Sequence, residues 1–239
     1  MTDGKHNKAL IVGVGAGLSA SLARALARER ITVALAARSP GDLDPLVREI
    51  GAKAFACDAS RRADVDKLFG DLDASFGAPD IVIYNASFRT RGPLVELDPA
   101  DVERSLAVTA YGAFLVAQQA ARRMLPQGHG AILFTGASAG VKGYPQSAPF
   151  AMGKFALRGL AQSMARELHP LGIHVAHIVV DGGIGGARLL GRAPQLRDER
   201  GPDGLLSYEA IADTYWQLHT QHRSAWSQEI DLRPWVESF

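Results

Sequence analysis

Seven short apolar runs recur along the chain, at 9–14, 31–36, 53–56, 81–84, 131–134, 173–179 and 228–232, most without polar alternation. A strand with one wet face alternates apolar and polar residues, because successive side chains point to opposite sides. Uninterrupted runs therefore require a sheet covered on both faces. The stretches between them supply the cover. Residues 18–30 line up Leu18, Leu22, Ala25 and Leu26 on one stripe, and residues 64–76 do the same with Val65, Leu68, Leu72 and Phe76. This alternation predicts an α/β architecture, a doubly wound, parallel, seven-stranded sheet. No repeat, low-complexity tract or Pro/Gly/Ser linker divides the 239 residues, so 1–239 reads as one domain. The least regular stretch, 181–206, is rich in Gly, Pro and Arg and reads as a substrate loop or lid. Residues 226–239 read as a final strand and tail that covers the pocket or a subunit seam.

With 47% hydrophobic residues the chain is neither disordered nor a small disulfide scaffold. A net charge of +1, with Arg61-Arg62 and Arg122-Arg123 as its adjacent basic pairs, leaves no footprint for nucleic acid or an anionic membrane. Small-molecule substrates and other subunits are the expected partners. The lone Cys57 cannot form an internal disulfide, residues 1–5 lack a leader's apolar core, and no run approaches a membrane span. A cytoplasmic location is the expectation. His219 and His222 are spaced for one helix face, with no nearby carboxylate or cysteine to complete a metal site, and read as a solvated face.

Chemistry enters at Gly13-Val14-Gly15-Ala16-Gly17-Leu18-Ser19, between the first strand and first helix. Glycines there permit a tight turn and let a pyrophosphate approach free N–H groups at the helix start. The same turn also serves a purely structural role in other chains. After the second strand stands Ala37-Arg38-Ser39, where NAD-binding folds often carry an acid for the ribose hydroxyls. An arginine without an acid suits the extra phosphate of NADP over NAD, against the plainer reading of a solvated surface arginine. Lys154 is the only charged residue across 148–157. A lysine on an apolar helix needs either a route to water or a specific acceptor, and a cofactor ribose is one such acceptor.

Taken together, Gly13 to Leu18, Asp58, Asn85-Ala86, Ser138, and Lys154 followed by Phe155-Ala156-Leu157-Arg158-Gly159-Leu160 resemble the short-chain dehydrogenase/reductase family. The resemblance runs from residue 9 to about 184 and implies a Rossmann fold and a nicotinamide cofactor. It assigns cofactor contacts to Gly13, Gly15, Ala16, Gly17, Leu18, Arg38, Asp58, Ala59, Asn85, Ala86, Ser87, Lys154, Gly182 and Ile184. Asp58 would sit near the adenine, and Ser138 would orient a substrate oxygen. Lys154 would hold the nicotinamide ribose and, in the family, lower the pKa of a catalytic tyrosine. The helix running 102–124, charge-poor over 110–121, and the one carrying Phe150 and Lys154 correspond to those that join subunits, implying a homodimer or homotetramer.

The tyrosine itself is absent: Tyr-x-x-x-Lys reads Phe150-Ala151-Met152-Gly153-Lys154. The third glycine of the turn is Ser19, Asn-Asn-Ala-Gly reads Tyr84-Asn85-Ala86-Ser87, Thr109 replaces the proton-relay asparagine, and Pro-Gly reads Asp181-Gly182. The resemblance thus implies a divergent branch in which the cofactor half is kept and the acid/base half eroded. Proton transfer contributes about 10²- to 10⁴-fold, so hydride transfer survives without the phenol. Tyr144, Lys154 or a water held by Ser138 could replace it, and Tyr144 could equally be a wall of the pocket. The leading function is an NADP-dependent oxidoreductase acting on a small carbonyl, alcohol or activated alkene. The alternatives are a non-catalytic NADP(H)-binding sensor or scaffold, and an oligomer that has lost its cofactor.

Overall fold

The computed structural model describes residues 7–238, so the opening segment read as lacking a leader's core, and Phe239 of the tail, lie outside it. Every apolar run becomes a strand: β1 (Lys8–Val12), β2 (Thr32–Ala37), β3 (Lys53–Ala56), β4 (Ile81–Tyr84), β5 (Gly130–Thr135), β6 (Ile173–Val180) and β7 (Glu229–Leu232). They form one parallel sheet in the order β3-β2-β1-β4-β5-β6-β7. Strand order reverses between β1 and β4, and crevices beyond the carboxyl ends at such a reversal are where open α/β sheets bind ligands.

Burial explains the runs. In β1, Leu10 and Val12 join the apolar cluster under α3 (Arg62–Ser75), α5 (Gly112–Met124) and α6 (Ala148–Leu168). Ala9 and Ile11 join the opposite cluster, under α1 (Leu18–Arg28), α2 (Asp44–Ile50) and α9 (Tyr208–Thr220). Both faces of β1 are dry, so its apolar residues follow one another without a polar break. β1 ends two residues earlier than the run suggests because Gly13, with φ of +86°, turns the chain.

Two departures from the sequence reading matter for the site. The helix expected over 102–124 begins earlier, as α4 (Pro99–Leu106), where the Asp98 carboxylate accepts from the Ala100 N–H at 2.9 Å. It then loosens into a π-helical turn at Ala107–Tyr111 before continuing as α5. Stretch 181–206 contains two short helices, α7 (Ala187–Leu190) and α8 (Leu196–Arg200), and a bridge joins Ile184 to Leu206.

The paired-histidine reading is corrected: α9 ends at Thr220, leaving His222 beyond it, and His219 packs on Trp216 with its Nδ1 buried. Burial pushes His219 down to about 4, which a solvated histidine would not show. After β7 the tail crosses the post-β6 loop. Trp235 donates its indole N–H to the Pro202 carbonyl at 3.3 Å, and Glu237 pairs with Arg200 at 3.1 Å. No helix among the described residues is long and apolar enough to cross a membrane.

Candidate active site

The cofactor and catalytic candidates singled out from sequence fall in or beside loops at the carboxyl edge of the sheet. Gly13 to Gly17 join β1 to α1, whose first residue is Leu18. Arg38 follows β2, Asp58 and Ala59 follow β3, and Asn85 to Ser87 follow β4. Ser138 follows β5, Gly182 and Ile184 follow β6, and Lys154 lies in the second turn of α6.

The glycine turn is built for close approach. A Cβ on Gly13 would lie 2.5 Å from the Ala86 backbone, so the β1 and β4 loops touch only because that side chain is missing. Ser19, the departure from the third glycine, is buried and donates to the Gly13 carbonyl at 2.9 Å while accepting from the Asn85 amide at 2.6 Å. A hydrogen-bonded bridge thus ties the two loops together. No side chain caps α1 and no acid lies in its first turn, which leaves its N–H groups and dipole available to an anion. Sequence reasoning missed Tyr208: its hydroxyl lies where Cβ atoms on Gly17 and Gly186 would sit 3.0 and 1.9 Å away, so it seats the post-β6 loop on the turn.

In the loop after β3, the Asp58 carboxylate accepts from the Ser60 hydroxyl at 2.7 Å and N–H at 3.0 Å. Burial opposes its charge. The Ser60 hydrogen bonds and the nearby Arg38 and Arg61 nevertheless hold it below the usual carboxylate range. Arg38 is exposed beside it.

The other end centres on Lys154, only 2% exposed, whose Nζ donates to the Thr135 carbonyl at 2.7 Å. Burial pushes it down to about 8. At neutral pH it is still an ammonium, one that gives up its proton far more readily than a surface lysine. Thr135 Oγ1 in turn shares a 2.7 Å hydrogen bond with the buried Tyr215 hydroxyl. Phe150 lies one turn earlier, with Lys154 Nζ 5.7 Å and the Arg89 guanidinium 5.0 Å from its ring centroid. Tyr144 is not gathered into this group: it is 39% exposed, its ring faces Lys142 at 5.6 Å, and it makes no hydrogen bond with Ser138 or Lys154.

A second, half-buried chain of side chains fixes α6 on the sheet. Arg158 pairs with Glu229 through both oxygens at 2.6 and 2.7 Å, and Glu229 meets His177 Nδ1 at 2.9 Å. Arg158 stands one turn beyond Lys154, so this clamp sets the height of the ammonium. A Cβ on Gly136 would lie 2.4 Å from His177 Nε2, which closes the floor of the turn leading to Ser138.

The remaining departures have local causes. Tyr84 is buried and its hydroxyl donates to the Val108 carbonyl inside the π turn. Thr109 accepts from the Phe88 N–H at 3.4 Å and packs so tightly on Gly153 that a Cβ there would lie 3.0 Å from its own. Asp181 donates its N–H to Leu232 at 2.8 Å and pairs with Arg233 at 3.3 Å. A proline could make neither contact.

Comparison with known proteins agrees with this geometry. A family model described as short chain dehydrogenase matches residues 7–185. The chain is 33% identical over 186 residues to a sorbitol dehydrogenase of Cereibacter sphaeroides, covering 75% of this chain and 72% of that protein. It is 29% identical over 178 residues to D-threitol dehydrogenase of Mycolicibacterium smegmatis, covering 72% and 68%. Among solved structures, a short-chain dehydrogenase from Rhodopseudomonas palustris is 32% identical with a TM-score of 0.81, covering 96% of this chain and 99% of that one. A gluconate 5-dehydrogenase from Burkholderia cenocepacia, in complex with NADP and tartrate, is 26% identical with a TM-score of 0.85, covering 95% and 93%. With its switch-point crevice, uncapped glycine turn and buried lysine, the chain belongs to the short-chain dehydrogenase family of oxidoreductases.

Proposed function

We propose that the protein is an NADP(H)-dependent oxidoreductase of a divergent branch. It moves a hydride between the nicotinamide and a small carbonyl, alcohol or activated alkene, with Lys154 in place of the missing phenol as proton donor. The observation that carries the proposal is the burial of Lys154. An ammonium 2% exposed, with the Thr135 carbonyl as its hydrogen-bond acceptor, sits one turn from the ring that replaces the tyrosine. Burying a cation is costly, and here the cost makes a better acid.

The residues present fit the cofactor. The cradle at Gly13 and the uncapped start of α1 suit a pyrophosphate, and Arg38 beside Asp58, with Arg61 near the same carboxylate, suits a 2′-phosphate. Bound NADPH supplies the hydride. Lys154 holds the ribose hydroxyls and releases a proton from Nζ, Ser138 orients the substrate oxygen, and the post-β6 loop from Gly182 through Ile184 covers them. Tyr144 then serves as a pocket wall. Exposed Tyr111 and Phe114 on the π turn and α5, with Met152 and Phe155 on α6, provide a face for a homodimer or homotetramer.

The test is calorimetric titration of cofactor-free protein with NADPH and NADH, repeated on Arg38→Ala, followed by turnover of Phe150→Tyr. NADPH should bind more tightly than NADH and lose its advantage in Arg38→Ala. The restored phenol should raise carbonyl reduction by about 10²-fold or more. No binding of either nucleotide refutes the enzyme reading, and binding with no turnover in either protein favours the sensor or scaffold.

A further inference from the structure

We propose that the Tyr208 hydroxyl is a cofactor-binding donor, giving its hydrogen to an oxygen of the diphosphate bridge and so fastening the post-β6 loop to the bound nucleotide. The inference rests on the NADP(H) reading and adds to that site a residue from outside the glycine turn.

Tyr208 stands where three segments meet. It opens α9 directly after Ser207, whose side chain accepts from the Ala210 N–H at 2.9 Å and fixes where the helix starts. α9 packs along α1 in one apolar cluster, and between them the Ser21 hydroxyl donates to Glu209 at 3.2 Å. Two residues before Tyr208, Leu206 closes the neck of the post-β6 loop. Its N–H donates to the Gly183 carbonyl at 2.9 Å, and its carbonyl accepts from the Gly185 N–H at 2.8 Å. The Tyr208 hydroxyl then fills space that glycines leave open in two separate loops. An ideal Cβ would lie 3.0 Å from it on Gly17 and 1.9 Å from it on Gly186. Gly186 has extended backbone, with φ of −111° and ψ of 174°, which any residue adopts, so its missing side chain provides room for the phenol and not a turn.

Around the hydroxyl are donors without acceptors. Gly17 is the N-cap of α1, no side chain caps that helix, and the N–H groups of Leu18 and Ser19 meet no acceptor among the described residues. The half-buried Tyr208 hydroxyl makes no hydrogen bond among them either, whereas the buried phenols Tyr84 and Tyr215 each have a partner. The start of α1 and the phenol thus share one corner of the site and lack an oxygen to receive them. A helix start favours an anion, and a phenol adds a donor without adding charge. Hydrogen bonds to ionised oxygens are the stronger ones, so the diphosphate is the part of NADP(H) that suits this set. Because the phenol touches Gly186 as well as Gly17, a diphosphate held here also holds the residue from which α7 starts.

The experiment compares wild type with Tyr208→Phe, which keeps the ring and removes the hydroxyl, by calorimetric titration with NADPH and with 2′-AMP. The second ligand carries adenine and the 2′-phosphate and lacks the diphosphate. Tyr208→Phe should bind NADPH about tenfold or more weakly than wild type and bind 2′-AMP equally well. At equal saturation, NADPH should slow amide hydrogen exchange across 186–191 more in wild type than in the variant. Gly186→Ala, whose Cβ displaces the phenol, should also weaken NADPH binding and should add little to Tyr208→Phe. Unchanged NADPH affinity in a Tyr208→Phe protein with wild-type unfolding overturns the proposal. An equal loss for 2′-AMP overturns it too, because it marks a general loosening around α1, and equal slowing of exchange in both proteins overturns the claim on the loop. Where Tyr208→Phe loses stability, the same titrations on Gly186→Ala decide. If wild type binds no NADPH, the NADP(H) reading fails by itself and inorganic pyrophosphate decides the proposal: tighter binding by wild type than by Tyr208→Phe upholds it, and no difference overturns it.

Discussion

Burial of Lys154 makes the stability of the fold depend on pH. Its drop from 10.5 to about 8 corresponds to about 3 kcal/mol of preference for the neutral amine in the folded chain. The folded pKa lies below the unfolded one, so between them the unfolded chain binds more protons. Stability must therefore rise with pH across that window. Below pH 8 both states carry the ammonium and the folded state bears the whole cost. Near pH 10.5 the cost is gone. Lys154→Met removes the titrating group while keeping most of the apolar stem, although it leaves the Thr135 carbonyl without its donor, a loss of about 1–3 kcal/mol that does not vary with pH. The difference between wild type and variant isolates the effect, because other titrating groups cancel. Urea unfolding of cofactor-free protein from pH 7 to pH 10.5 should show wild type gaining about 3 kcal/mol on Lys154→Met. A difference that stays flat across this range, with equal m-values, would refute the claim that the ammonium is buried against its preference, and with it the choice of Lys154 as proton donor.

Two further outcomes follow from the same geometry. Asp181→Pro removes both the N–H that meets Leu232 and the carboxylate that meets Arg233, and should cost about 1–3 kcal/mol in urea unfolding; Asp181→Asn, which keeps the N–H, should cost less. Cys57 is pushed up to about 12, chiefly by burial and then by Asp64 and Asp58, so a thiol reagent should leave it unmodified at pH 8 until the chain is unfolded.

The strands were legible because covering a sheet on both faces forces apolar residues into unbroken runs, and the strand bounds follow those runs within one or two residues. The turn at Gly13 was legible for the same local reason. What the sequence does not display is pairing across loops. Ser19 reads as damage to a glycine motif until Asn85 is seen donating to it, and Asp181 reads as a lost proline until β7 lies beside it. Tyr208, at the start of α9, carries no signal in one dimension. Its place comes from Gly17 and Gly186, which only the folded chain brings to it.

The π turn at Ala107–Tyr111 bears on how this chain can change by descent. A π turn carries one more residue than the α-helix it interrupts, and each residue of an α-helix advances by about 100°. Losing a single codon there would restore a regular helix. It would also swing Ala113, Val116, Ala117 and Ala120, each at most 1% exposed, away from the core. Tyr84 would lose its acceptor at Val108 in the same event, and Thr109 would leave its place against Gly153. Four helical positions, a tyrosine on a neighbouring strand and a glycine on a neighbouring helix are therefore bound to one another by the length of one turn. A lineage that shortens the turn must rebuild the core at the same time.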